Sequence, residues 1–121
     1  MDFWIGFDEP SRSDRRAPNP PQGQWNHSGA RIWIGGREIA PPHWKQPGLS
    51  KKDDEQPFVD EGYFFRPPVS VPLAAGWNRI LVKAPHAPPD WKWMFTCVPV
   101  RLVGATAHEV EGLRFAPLPS P

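Results

Sequence analysis

Ile32-Trp33-Ile34-Gly35-Gly36-Arg37-Glu38-Ile39 is an apolar alternation interrupted by two adjacent glycines. Glycine takes the positive φ angles that a two-residue hairpin turn needs, so the stretch reads as two antiparallel strands folded back on one another. Once the turn is placed, the register follows. Ile34 faces Arg37, Trp33 faces Glu38 and Ile32 faces Ile39. Side chains alternate between the faces of a sheet, so Ile32, Ile34 and Ile39 share the expected core face while Trp33 and Glu38 share the other.

The same period of two recurs on both sides of this hairpin. Phe3, Ile5 and Phe7 alternate with Trp4, Gly6 and Asp8; Ile80 and Val82 alternate with Arg79, Leu81 and Lys83; Phe95 and Cys97 alternate with Met94, Thr96 and Val98. No segment keeps a 3.6-residue apolar stripe through three turns, and Pro10, Pro18, Pro20, Pro41, Pro57, Pro67, Pro85 and Pro99 interrupt the windows a helix would need. The chain is therefore expected to be all-β with long loops. A further turn is read at Ala74-Ala75-Gly76, between strands over residues 69–73 and 77–84, and the last long strand over 93–103. After Val103 the alternation fades, and Ala116-Pro117-Leu118-Pro119-Ser120-Pro121 reads as an extended tail. These boundaries divide the chain into a β-sandwich over residues 1–104 and a C-terminal extension over 105–121.

Composition sets the remaining bounds. In 121 residues, 14 Lys and Arg stand against 13 Asp and Glu, a formal charge of +1 that supplies no field for nucleic acid or an anionic membrane. A free-standing eight-stranded α/β barrel needs about 250 residues and is excluded. Eighteen prolines and ten glycines approach the composition of disordered chains, but seven tryptophans and seven phenylalanines oppose that reading. Each such ring can bury roughly 150–250 Å². Cys97 is the only cysteine, so neither an internal disulfide nor a thiolate zinc cluster can form. There is no run of apolar residues long enough to span a bilayer and no basic segment leading into an apolar one near Met1. Because the chain opens directly into a strand-like alternation, Met1 is expected to be an artificial start, with any export signal outside this sequence.

Two connections are longer than usual for a compact domain, residues 9–28 and 41–60, and a shorter one runs over 85–90. The first carries Arg12, Arg15, Arg16, Trp25, Asn26 and His27; the second carries His43, Trp44, Lys45 and the mixed charge run Lys51-Lys52-Asp53-Asp54-Glu55, which reads as a solvated loop tip.

The residue series Phe3-Trp4-Ile5-Gly6, Ile32-Trp33-Ile34-Gly35-Gly36-Arg37-Glu38-Ile39-Ala40-Pro41-Pro42, Tyr63-Phe64-Phe65-Arg66-Pro67-Pro68, Gly76-Trp77-Asn78-Arg79-Ile80-Leu81-Val82-Lys83 and Trp93-Met94-Phe95-Thr96 resembles, in the same order, the C-terminal accessory domain of bacterial β-N-acetylhexosaminidases (chitobiases) of glycoside hydrolase family 20. The resemblance covers most of the chain, from about Phe3 to Val103. It implies a galactose-binding-like jelly-roll β-sandwich, similar in fold to many carbohydrate-binding modules, with Gly35-Gly36 where related hairpins often carry Asn-Gly. A full jelly roll has eight strands and about seven are legible, so one or more N-terminal strands are expected to be missing or supplied by the parent enzyme. The implied partner is the parent's catalytic domain. The implied location of that parent is periplasmic, cell-surface or secreted. Galactose-binding-like domains often hold a structural Ca²⁺, but Asp53-Asp54-Glu55 and Asp60-Glu61 lack a spaced ligand code, and no cofactor is expected.

Asp8-Glu9 invites a catalytic reading, since the family's enzymes use an adjacent Asp-Glu pair in which Glu protonates the leaving oxygen and Asp orients the substrate acetamido group. Here the pair lacks the upstream His-x-Gly-x run and the barrel strand, and it reads as a strand end entering a proline loop. Cys97 in an apolar strand reads as an inert core residue. His27, His43, His86 and His108 have no ligand spacing, so no metal site is expected. No catalytic residue is assigned to this chain.

Sugar binding is the remaining chemistry. Sugar rings present C–H faces that stack on open indoles and hydroxyls that need planar polar partners. Trp25, His27, Trp44, Asp90 and Trp91 are the candidate carbohydrate-binding residues, because these tryptophans fall in loops, whereas Trp4, Trp33, Trp77 and Trp93 fall in or beside strands and are expected to pack. Arg66 reads as a salt-bridge partner for a loop carboxylate. Three functions stay open: a structural domain packed on a hexosaminidase barrel, a module that binds N-acetylhexosamine glycan through loop tryptophans, and a free-standing interaction domain. No nucleic-acid or membrane partner is expected.

Overall fold

The computed structural model describes residues 1–7, 20–48, 67–86 and 95–117. Within them the chain forms seven strands and no helix: β1 (Asp2–Phe7), β2 (Arg31–Ile34), β3 (Arg37–Glu38), β4 (Val69–Ser70), β5 (Ile80–Lys83), β6 (Phe95–Val103) and β7 (Thr106–Glu109). They make two antiparallel sheets, one ordered β4-β1-β6-β7 and the other β3-β2-β5. Apart from the β2–β3 and β6–β7 hairpins, successive described strands lie in different sheets. The long connections are therefore the places where the chain changes layer.

The β2–β3 hairpin has the register its glycines dictate. Gly35 and Gly36 sit at φ 59° and 80°. Ile34 pairs with Arg37 and Trp33 with Glu38, and the Ile39 N–H donates to the Ile32 carbonyl at 2.9 Å. β5 continues the sheet on the other side of β2, with Arg31 opposite Lys83, Ile32 opposite Val82, Trp33 opposite Leu81 and Ile34 opposite Ile80.

In the second sheet β1 is flanked on both sides. Six residues pair with β6, from Asp2 opposite Val100 to Phe7 opposite Phe95, and its start pairs with β4. Met1 prolongs that second ladder, its carbonyl accepting from the Val71 N–H at 2.8 Å and its amine donating to the Val71 carbonyl at 2.9 Å.

Phe3, Ile5 and Phe7 from β1 meet Ile32 and Ile34 from β2, together with Trp25, Ala30, Ile39 and Val71, in one buried cluster. Apolar surface withdrawn from water on both inner faces holds the layers together. Ile32, Ile34 and Val71 are the most deeply buried of these side chains.

Two expectations are corrected here. Residues 105–121 are not wholly a tail: Val103 and Thr106 pair across Gly104-Ala105, and β7 lies along β6 as far as Glu109 opposite Val100. Thr106-Ala107-His108-Glu109 has little apolar alternation to announce a strand, so the two-residue turn opened by Gly104 at φ 62° carries the pairing through backbone hydrogen bonds. Pro99 fits in central β6 because residues flanking a two-residue turn are hydrogen-bonded, which points the backbone of Val103, Arg101 and Pro99 toward β7. At Pro99 the β7 strand has already ended. Trp77, expected to pack, is instead about half exposed, 52%. The Ala74-Ala75-Gly76 turn lies between β4 and β5, which belong to different sheets.

Ile32→Ala should cost about 2–5 kcal/mol in urea unfolding, as truncation of a filled core site does. The outward-facing Leu81→Ala should stay within about 0.5 kcal/mol of the parent chain.

Candidate functional site

Two of the three loop tryptophans proposed from sequence, Trp25 and Trp44, are interior residues. Trp25 is 4% exposed and Trp44 2%. The Trp25 indole N–H donates to the Ile39 carbonyl at 3.1 Å, and its ring lies 5.6 Å from the Phe7 ring at a tilt of 59°. The Trp44 indole N–H donates to the Gln24 carbonyl at 2.8 Å, and its backbone N–H donates to Gln22 Oε1 at 3.0 Å. Gln22 Nε2 also approaches His43 Nδ1. Residues 20–30 and 39–44 are thus fastened to each other and to the core. Neither Trp25 nor Trp44 has an open ring face on which a sugar could stack, and both assignments are withdrawn. His27 is exposed; Asp90 and Trp91 lie outside the described residues, as do Asp8, Glu9, Arg66, Trp93 and the charge run at 51–55.

Asn26 holds this closure in shape. It is buried, and its Oδ1 accepts the backbone N–H of Ser28 at 3.1 Å and of Ala30 at 2.9 Å. A short polar side chain caps two donors that a buried turn would otherwise leave without partners.

Chemistry available inside the sandwich is slight. Cys97 is largely buried, and that desolvation pushes its thiol up to about 11, so the nucleophilic thiolate is scarce at neutral pH. Among the described residues no group of three or more His, Cys, Asp or Glu could hold a metal ion. No helix among them is long and apolar enough to cross a membrane.

Among the described residues the sheet surface offers more, at positions that include Trp33 and Trp77, which the sequence reading expected to pack. The outward face of the β3-β2-β5 sheet carries Trp33, Glu38 and Leu81 in one cross-strand row and Arg31 and Lys83 in the next. Arg31 donates to both Glu38 oxygens, Nε to Oε1 at 2.7 Å and Nη2 to Oε2 at 2.5 Å, and its guanidinium lies 4.8 Å from the Trp33 ring centroid. The hydrogen bond from Arg31 holds the Glu38 carboxyl below its ordinary range, with desolvation opposing it and the Arg31 charge adding to it. Any stability from this pair is present above the unfolded Glu value and fades as pH falls through the lowered one; solvent screening keeps it small.

A second exposed feature lies beside the hairpin tip. Asn78 Oδ1 accepts from the Ala74 N–H at 3.0 Å, and its Nδ2 donates to the Ala74 and Gly76 carbonyls at 2.9 and 3.1 Å. The turn is braced by one amide, and the neighbouring indole of Trp77 stays in solvent. Part of the signal was present in β5, where Leu81 and Lys83 alternate with Val82 and stand opposite Trp33 and Arg31.

Comparison with protein-family models, with curated proteins and with solved structures gives no match for this chain.

Asn26→Ala should destabilise the chain by about 1–3 kcal/mol in urea unfolding, because two backbone donors lose their acceptor. Alkylation of Cys97 by iodoacetamide at pH 8 should run about 100-fold slower in the folded chain than in urea, following the thiolate fraction; equal rates would contradict the burial described.

Proposed function

We propose that this chain is a non-catalytic accessory domain of galactose-binding-like, jelly-roll type, belonging to an exported β-N-acetylhexosaminidase, and that its role is structural: it packs against the parent's catalytic domain. The observation that carries this reading is the distribution of large apolar side chains. Trp25 and Trp44 have gone into the core, while Trp77, Leu81, Leu102 and Val103 stay at the surface at 52%, 56%, 43% and 52% exposure. Two of these residues lie on β6, in one sheet, and Leu81 lies on β5, in the other. Large apolar groups left exposed are costly to keep in water and fit an interface with another protein surface.

The residue series quoted above supports the parentage, and the repeated passage of the chain between two antiparallel sheets accords with a jelly roll. The periplasm, the cell surface or the medium is then the compartment in which the parent works. Direct glycan binding has lost its support at Trp25 and Trp44. It would now have to rest on Trp77 alone among the exposed described indoles.

Titration with N-acetylglucosamine oligomers, read by intrinsic tryptophan fluorescence, separates the two roles. The structural reading expects an unchanged spectrum up to about 1 mM sugar. Saturable quenching that Trp77→Ala abolishes would replace it with a carbohydrate-binding module.

A further inference from the structure

The β2–β5 ladder presents a face whose charge is not balanced. Pairing of Arg31 with Lys83 and of Trp33 with Leu81, continued by the Gly35 N–H donating to the Arg79 carbonyl at 2.9 Å, puts Arg31, Trp33, Arg79, Leu81 and Lys83 on the side away from Ile32 and Ile34. Among the described residues Glu38 is the acid on this face, and Arg31 already engages both its oxygens. Arg79 and Lys83 have no ion pair among the described residues, and Leu81 stands between them at 56% exposure. In a chain with a net charge of +1, two cations without an ion pair among the described residues thus flank an exposed leucine.

We propose that this face is a docking surface for an extended acidic segment of a partner protein, with an apolar side chain seated on Leu81 and Trp33 and carboxylates on Arg79 and Lys83. The proposal rests on the interdomain reading above and gives it a surface and a chemistry. Arg79, just before β5, and Lys83 at its end are four residues apart, about 13 Å in extended chain, the distance between residues i and i+4 of an extended partner whose i+2 side chain would fall over Leu81. A second copy of this chain is disfavoured, because two such faces would bring Arg79 and Lys83 against like charges. A neutral sugar fits poorly: Leu81 has no flat face, and the Arg31 guanidinium lies over the Trp33 ring.

The test is a titration of the full ¹⁵N-labelled chain with the acetylated, amidated peptide Thr-Glu-Thr-Leu-Thr-Glu-Thr, compared with the same peptide carrying Lys in place of Glu and with polygalacturonate. Backbone signals of Trp33 and Leu81 and the Trp33 indole signal should move with the acidic peptide only. Affinity should weaken as salt rises, since exposed charges are screened beyond about 10 Å at 0.1 M. The double variant Arg79→Glu, Lys83→Glu should keep the unperturbed spectrum of a folded chain and bind at least about tenfold more weakly, the loss expected for two contacts of the exposed-charge kind. Equal response to the Lys peptide, response to polygalacturonate but not to peptide, or no shift at about 1 mM peptide would each overturn the proposal. If the oligosaccharide titration is silent and the peptide fails, the docking surface falls while the accessory-domain reading stands. If the oligosaccharides bind, that reading falls first.

Discussion

Phe3, Ile5 and Phe7 on one sheet and Ile32 and Ile34 on the other share a single dry layer, and this contact constrains every other feature of the molecule. Neither sheet is stable alone, because the layer they share is the main apolar cluster of both. The β2–β3 hairpin contributes little area but sets the phase: a slip of one residue would turn Ile32 and Ile34 outward and Trp33 inward. Gly35 and Gly36 prevent the slip, since their left-handed conformations admit one turn geometry.

A sandwich with so few strands has open ends, and the closure of at least one of them is made by loop residues. Trp25 and Trp44 fill that space, yet each brings an indole N–H that cannot be buried without an acceptor. The carbonyls of Ile39 and Gln24 supply acceptors, which ties residues 20–30 to the segment following the hairpin. Loops usually carry binding groups because they are free of packing duties. Here the duty of closing the core has taken the rings, and the strands are left with the exposed apolar groups.

This exchange marks the limit of what was legible in the sequence. The hairpin register, the core face of β1 and the inward isoleucines were readable because turn chemistry and a period of two act locally. The strand β7 was not, since Thr106-Ala107-His108-Glu109 owes its conformation to the β6 backbone beside it and has no pattern of its own. The fate of Trp25 and Trp44 was not readable either, because nothing periodic governs a loop. Their neighbours carried a hint: Asn26 beside Trp25, and Gln22 and Gln24 ahead of it, are residues able to satisfy a buried turn. The outward row of Trp33 and Leu81 was half legible, as Trp33 and Glu38 were placed together on the outer face, but the partner row on β5 needed the β2–β5 pairing, which no turn specifies.

The charge on that outer face follows from the same constraint. With β2 alternating Ile inward, its outward positions are Arg31 and Trp33, and β5 in register sets Lys83 and Leu81 beside them. A strand so placed in water would ordinarily carry charges of both signs that satisfy one another. Arg31 and Glu38 do so, and the aromatic ring under the guanidinium lowers the cost of fixing it in place. Along β5 and the residue before it the alternation instead sets two cations around a leucine, which gains nothing from water on its apolar surface, and among the described residues no ion pair holds the flanking charges. Such an arrangement adds little to the stability of the isolated chain. It acquires a physical use when a second surface removes Leu81 from water and supplies the missing carboxylates, which is the reason for placing recognition on the flat face of the sheet and not in the loops.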